Sequence, residues 1–253
     1  MSIKYKRLKL KMLTPDLLKD FDRRQQITRS FRAKSGKWIV IDNEYTEDWD
    51  DMKKGQILDF LRSVKKNKGI LYGAFNDGTL VGFTVVEGKL FGSGKQYARL
   101  SMIHVSSTMR HRGIGKELFA LAVSSAESIG AKKLYITGHS SVETQAFYRN
   151  MGCVETVEYS DELLSEEPYD CHLEYDIKNR GRITPFLMVL GMVVGLCIGY
   201  TYDNKAPIFM CLGMVVGSAF GLYFDYLSRK EADSEEKGLQ IKEGGETRHP
   251  DNL

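Results

Sequence analysis

Cysteine is scarce. The four residues Cys153, Cys171, Cys197 and Cys211 match no metal-site spacing, and two of them fall inside apolar runs. Reduced thiols in a cytosolic or membrane setting are therefore expected, and no resident metal. An excess of one charge is also missing. The chain has 36 Lys+Arg against 33 Asp+Glu, which leaves no whole-chain argument for a nucleic-acid partner. The N-terminus, Met1-Ser2-Ile3-Lys4-Tyr5-Lys6, is basic, but no apolar core follows it, so a cleaved secretory signal is not expected. What remains is a chain of 253 residues, enough for one sizeable domain with appendages or two small domains.

Residues 1–178 read as globular, with strand and helix periods alternating. Ile3 to Leu10 alternates basic and apolar residues as a half-exposed strand does. Thr14 is placed to cap a helix starting near Pro15. Trp38 to Ile41 is a short apolar run. Asp42 to Asp51 then carries six acidic side chains interleaved with Tyr45 and Trp49, which suits either a solvated loop or a surface that attracts a cationic amine. Gly55 to Lys65 has helical spacing. Ile70–Phe75 and Leu80–Val86 flank Asn76-Asp77-Gly78 and predict a β-hairpin. Gly92-Ser93-Gly94-Lys95 lacks the first glycine and the Ser/Thr of a phosphate-binding P-loop and is set aside. Tyr97–Val105 predicts a strand, Gly113–Ile129 a helix stopped by Gly130, and Lys133–Thr137 a strand. Ser140 with Glu143 offers a capping box for a helix ending at Gly152. Cys153–Tyr159 and Tyr169–Ile177 would close the sheet as an antiparallel pair joined by an acidic loop.

The last third is of different composition. Ile183–Tyr202 and Ala206–Phe224 contain no charge, and each is about long enough to cross a ~30 Å hydrocarbon core as a helix. Leu190-Gly191-Met192-Val193-Val194-Gly195 recurs as Leu212-Gly213-Met214-Val215-Val216-Gly217, and the four-residue spacing continues at Gly199 and Gly221. Glycines so spaced share one helix face and let two backbones approach closely. Tyr200, Tyr202, Tyr223 and Tyr226 lie near the ends, where interfacial aromatics belong. Asp203-Asn204-Lys205 allows only a tight link. Arg180, Arg182, Arg229 and Lys230 put both outer flanks in the cytoplasm by the positive-inside rule. The expectation is a two-helix membrane hairpin (about 183–202 and 206–226), multi-pass, with the globular domain cytoplasmic, membrane lipid as a partner, and homo-oligomerisation through the glycine faces. The bland alternative is a buried helical hairpin. The polar tail 228–253, with seven acidic and five basic residues, is expected to be disordered.

The most informative stretch is Arg110-His111-Arg112-Gly113-Ile114-Gly115-Lys116, between a strand and a helix. Two glycines expose backbone N–H groups at a helix start beside Arg110, Arg112 and Lys116, which makes a seat for a pyrophosphate such as that of coenzyme A. Together with Leu100-Ser101-Met102-Ile103-His104-Val105, with Ala146-Phe147-Tyr148 and with Met151-Gly152-Cys153, this turn resembles the GNAT superfamily of N-acetyltransferases. Arg110, Gly113 and Gly115 meet the family pattern Arg/Gln-x-x-Gly-x-Gly/Ala; Phe147-Tyr148 and Gly152 meet its second marker.

The resemblance implies an α/β (α+β) fold, a mixed and mostly antiparallel sheet flanked by helices, and an acyltransferase that moves acetyl from acetyl-CoA, its cosubstrate, to a primary amine of a small molecule or peptide. It further implies a pyrophosphate on the amides of Arg112, Gly113, Ile114, Gly115 and Lys116, and pantetheine along the backbone of Ile103 and Val105. Tyr148 would be the acid for the leaving thiolate, and Ser141 stands where many members have a cofactor-side Asn. The family's strand glutamate falls near Ile136, which cannot titrate. The base is left open among Glu87, His104 and His139. A non-catalytic CoA-binding module, regulating a glycine-zipper membrane assembly, is the alternative.

Overall fold

The computed structural model describes residues 2–34, 37–177, 184–201 and 207–225. The chain divides into two compact units, Met1–Lys178 and Asn179–Leu253.

The first unit is a seven-stranded sheet in the order β1-β4-β5-β6-β7-β9-β8, in which only β6 and β7 are parallel. The strands are β1 (Lys4–Arg7), β4 (Ile70–Asn76), β5 (Thr79–Phe91), β6 (Tyr97–Val105), β7 (Lys133–Gly138), β8 (Val154–Glu155) and β9 (Cys171–Asp176). The β4–β5 turn is the expected hairpin, with Asp77 (φ 48°) and Gly78 (φ 86°) both in the left-handed region that matches strand twist. β5 runs on to Phe91, and the reversal into β6 falls at Gly92 (φ 88°).

Helix α1 (Asp51–Lys66) buries Ile57, Leu58, Leu61 and Val64 with Leu71, Phe83 and Val85. Helix α2 (Ile114–Ser128) buries Phe119, Ala122, Val123 and Ala126 with Val86, Leu100, Leu134 and Ile136. Phe83 packs with α1, whereas a Cβ on its neighbour Gly82 would meet Leu118 and Ile114 of α2, so the two helices lie on opposite faces of the sheet. Helix α3 (Val142–Asn150) joins the α2 side through Phe147, edge-on to Phe119 at 6.3 Å.

Four expectations need correction. Pro15–Leu18 forms only a 3-10 turn, and Thr14 makes no side-chain cap there. The acidic run is no loop: Asp42 to Glu47 continues β3 (Lys37–Glu47), which pairs with β2 (Gln25–Lys34) as a separate ribbon, and Asp50 caps α1 through Lys53 N–H at 2.7 Å. The cap of α3 is Ser141, one residue later than expected, because Ser140 is occupied by the ribbon. Its carbonyl accepts the Phe31 N–H (2.8 Å), and its hydroxyl accepts from Arg32 (2.6 Å). The acidic loop before β9 holds a short helix, α4 (Asp161–Glu166).

In the second unit α5 (Thr184–Thr201) and α6 (Pro207–Asp225) pack through their glycines. A Cβ on Gly191 would lie 2.1 Å from the Gly213 carbonyl oxygen, and one on Gly195 2.0 Å from that of Phe209. The reciprocal contacts at Gly213 and Gly217 fall on Gly191 and Leu187, so the helices run antiparallel. The glycine face is thus occupied within the hairpin. Val193, Leu212, Val215 and Phe220 are exposed on the outside. Among the described residues only Pro207–Asp225 is long and apolar enough to cross a membrane; the apolar helix Phe186–Thr201 is shorter. The link at 203–205, the cationic flanks and the polar tail lie outside the described residues.

Candidate active site

The site begins where two parallel strands part. β6 pairs with β7 only from Tyr97↔Lys133 to Leu100↔Ile136. Beyond Leu100, among the described residues, the β7-facing edge of β6 has no strand partner, and its backbone groups are open. A cavity of about 810 Å³ fills the opening.

The glycine turn forms one wall. His111 (φ 60°) and Gly113 (φ 81°) reverse the chain in left-handed conformations, and α2 starts at Ile114. The first intrahelical bond runs from Glu117 N–H to the Gly113 carbonyl (3.2 Å), so the amides ahead of it have no helical partner. The two glycines serve different ends. Gly113 supplies the positive φ, whereas a Cβ at Gly115 would press on the Phe147 ring at 3.2 Å. Lys116 is exposed on the same wall.

Ile103, Val105, Arg110, Gly113, Ile114, Gly115, Lys116 and Tyr148 all line the cavity. Arg112 and Ser141 are not among the lining residues. Arg110 is turned inward: Nε donates to the Val105 carbonyl (3.1 Å) and Nη2 to that of Arg23 (3.0 Å), and burial and Arg23 depress its pKa. It holds the end of β6 to the entrance of the ribbon, a positioning role. Ser141 is fully buried; its hydroxyl accepts from Thr144 N–H (3.4 Å) and donates to Thr144 Oγ1 (2.9 Å), so it caps α3.

Tyr148 is 6% exposed and its ring packs on Gly138, where a Cβ would be 2.9 Å away. Burial, then the neighbouring Cys153, Asp170 and Glu167, push its phenol far above its usual range, so it stays protonated. Gln145, not singled out in the sequence, donates to the carbonyls of Gly138 (3.1 Å) and His139 (3.0 Å) and locks α3 to the end of β7. Cys153 is buried, and its thiol is pushed up to about 12.

One end of the cavity is built by the ribbon and the segment before β9. Arg23 lies against Glu47 (2.7 Å) and over Trp49 (5.9 Å). Of the acidic run only Glu47 reaches the cavity, together with Trp49. Glu167 and Asp170 complete this end. The open candidates for the base separate here. Glu87 does not line the cavity; it lies 3.8 Å from Arg99, and burial raises its pKa. His104 does, edge-on to Trp49 at 4.9 Å, and burial with the charges of Arg23 and Arg110 holds its pKa well below the usual imidazole range. His139 Nδ1 accepts the Ser141 N–H (3.1 Å), so the neutral ring carries its proton on Nε2, which donates to Tyr45 Oη (2.8 Å). Burial lowers its pKa as well.

Comparison with known proteins agrees with this geometry. Residues 36–153 match the model of the acetyltransferase (GNAT) family. A crystal structure of nourseothricin acetyltransferase superposes with a TM-score of 0.51 at 18% identity, covering 70% of this chain and 99% of that one. A protein from Bacillus anthracis str. Ames assigned as a streptothricin acetyltransferase, crystallised with acetyl coenzyme A, gives 0.53 at 18%, with the same coverage. No curated protein matches the chain by sequence. The N-terminal unit has the GNAT fold, and the match over residues 36–153 supports an acyltransferase with acetyl-CoA as its cosubstrate.

Proposed function

We propose that the N-terminal unit transfers an acetyl group from acetyl-CoA to a primary amine of a small molecule or peptide by direct attack. The parting of β6 from β7 over the glycine turn carries this reading. It offers open strand edge, unpaired helix-start amides and a cation along one cavity, the features a pantetheine–pyrophosphate chain requires. Acetyl-CoA would supply the activated thioester. A backbone N–H of β6 would polarise its carbonyl, and Tyr148 would protonate the departing thiolate. Direct attack suits the site because neither of the buried thiols Cys153 and Cys171 lines the cavity to accept the acetyl group. The amine class is supported by the carboxylates of Glu47, Glu167 and Asp170, which line the cavity.

The same reading extends to the second unit: the glycine-packed hairpin inserts into a membrane and keeps the catalytic unit on the cytoplasmic side. The exposed apolar side chains of α5 and α6 favour insertion over a soluble hairpin.

Release of CoA thiol by the full-length protein over a panel of amines tests the activity. Turnover that falls at least about 100-fold in Tyr148→Phe, with acetyl-CoA affinity unchanged, is expected. Saturable acetyl-CoA binding with no turnover for any amine would instead favour a non-catalytic binding module.

A further inference from the structure

An amine acceptor arrives at neutral pH as an ammonium ion, and it must lose a proton before its nitrogen can attack. None of the bases expected from the sequence is placed to take it. Glu87 faces Arg99 outside the cavity; His139 has both ring nitrogens engaged; His104 would carry its charge beside Arg23 and Arg110.

The cavity contains a carboxylate that suits the task. Asp170 immediately precedes Cys171, which pairs with Gly138 at the C-terminal end of β7. Tyr148 packs on that same Gly138, so both residues lie at the C-terminal end of β7, and the charge of Asp170 bears on the Tyr148 phenol. Glu47, Glu167 and Asp170 all line the cavity. Glu47 is paired with Arg23 at 2.7 Å and Glu167 with Arg99 at 3.4 Å, whereas among the described residues Asp170 has no cation within ion-pair distance. The groups that bear on it electrostatically are Glu47 and Tyr45 from β3, Arg32 from β2, Tyr148 from α3, and Glu167 and Cys171 from its own segment. This surrounding is mostly acidic, which attracts an ammonium group and keeps the carboxylate basic.

We propose that Asp170 is the general base of the acetyl transfer, accepting the proton of the acceptor's ammonium group in the part of the cavity that it lines with Glu47 and Glu167. The inference rests on the acetyltransferase reading above. The ammonium N–H bond breaks and its proton joins the Asp170 carboxylate. The freed nitrogen bonds to the acetyl carbonyl carbon as the carbon–sulfur bond breaks. The thiolate takes the phenolic proton of Tyr148, the second nitrogen proton restores Tyr148, and Asp170 releases its proton to solvent. Burial, Glu167 and Glu47 raise the carboxyl to about 6, close to where a base works best at neutral pH.

The test compares the full-length wild type with Asp170→Asn and Asp170→Glu, using lysine, putrescine and a lysine-containing peptide as acceptors. Asp170→Asn is expected to lower kcat/KM at least about 100-fold and to abolish the acid limb near pH 6, with acetyl-CoA affinity unchanged; Asp170→Glu should restore part of the rate. A merely structural role would leave the limb in place. If the wild type and Tyr148→Phe behave as an acetyltransferase and its acid variant, but Asp170→Asn stays within about 3-fold with the same limb, the assignment of the base is overturned and the activity stands. If the wild type acetylates none of the acceptors, the acetyltransferase reading fails, and this inference with it.

Discussion

At the residue scale, two glycines two positions apart answer to different forces. Gly113 sits at φ 81°, where any side chain pays a steric penalty of about 1–2 kcal/mol, so Gly113→Ala should lower stability in denaturant melts by that much. Gly115 has ordinary backbone angles but faces the Phe147 ring. Gly115→Leu should therefore weaken acetyl-CoA binding at least about 10-fold in a calorimetric titration, by crowding the seat between α2 and α3. Asp170 gives a prediction with a definite sign. Its folded carboxyl is raised to about 6 against an unfolded value of about 3.9, so the folded state holds the proton more tightly. The stability this contributes is complete below about pH 4 and is lost as pH rises through about 6. Asp170→Asn should thus be more stable than wild type at pH 7.5, by on the order of 1 kcal/mol allowing for solvent screening, and equal to it at pH 4. Matched thermal melts at the two pH values measure the difference. The glycines and Tyr148 could be read from the sequence because their signals are local. Asp170 could not: β9 pairing brings it to Tyr148 from another segment.

At the scale of elements, the strands and helices with strong periods were legible almost to the residue. Tyr97–Val105 is a strand as expected, and α2 ends at the residues before Gly130. The β2–β3 ribbon was not. Gln25–Lys34 mixes charged and apolar residues without a clean alternation, and the partner strand absorbs the acidic run that looked like a loop. Its position explains the shifted cap of α3. Ser30 bridges to Ser141, Phe31 and Arg32 take Ser140, and Trp38 donates to Glu155 (3.2 Å). Ser141 is thereby a test of cap against cofactor contact. Ser141→Ala should cost about 1 kcal/mol of stability and leave the KM for acetyl-CoA within about 3-fold. A large rise in KM with little loss of stability would restore Ser141 to the cofactor.

For the whole molecule, the two units are held by opposite devices. The N-terminal unit is cored by Leu, Val and aromatic side chains on both faces of a sheet, whereas the C-terminal unit has almost no side chain between its helices. Backbone meets backbone at Gly191 and Gly213, and the Asp225 carboxylate accepts from the Thr184 hydroxyl at the open end. The sequence repeat announced the glycine face but not its partner, since a repeated motif fits a second copy of the chain as well as its own twin. Gly213→Leu should force the helices apart and make the hairpin accessible to protease in vesicles without changing the oligomeric state seen by cross-linking. A dissociated oligomer would mean that the glycine face joins separate chains.

All of this chemistry depends on whether the cavity between β6 and β7 holds acetyl-CoA. Titration calorimetry of acetyl-CoA into the full-length protein addresses it directly, with Lys116→Glu as the paired variant. Saturable binding of one molecule per chain is expected, weakened at least about 10-fold by the charge reversal beside the helix-start amides. Absence of binding to the wild type, or equal affinity in the variant, would contradict it.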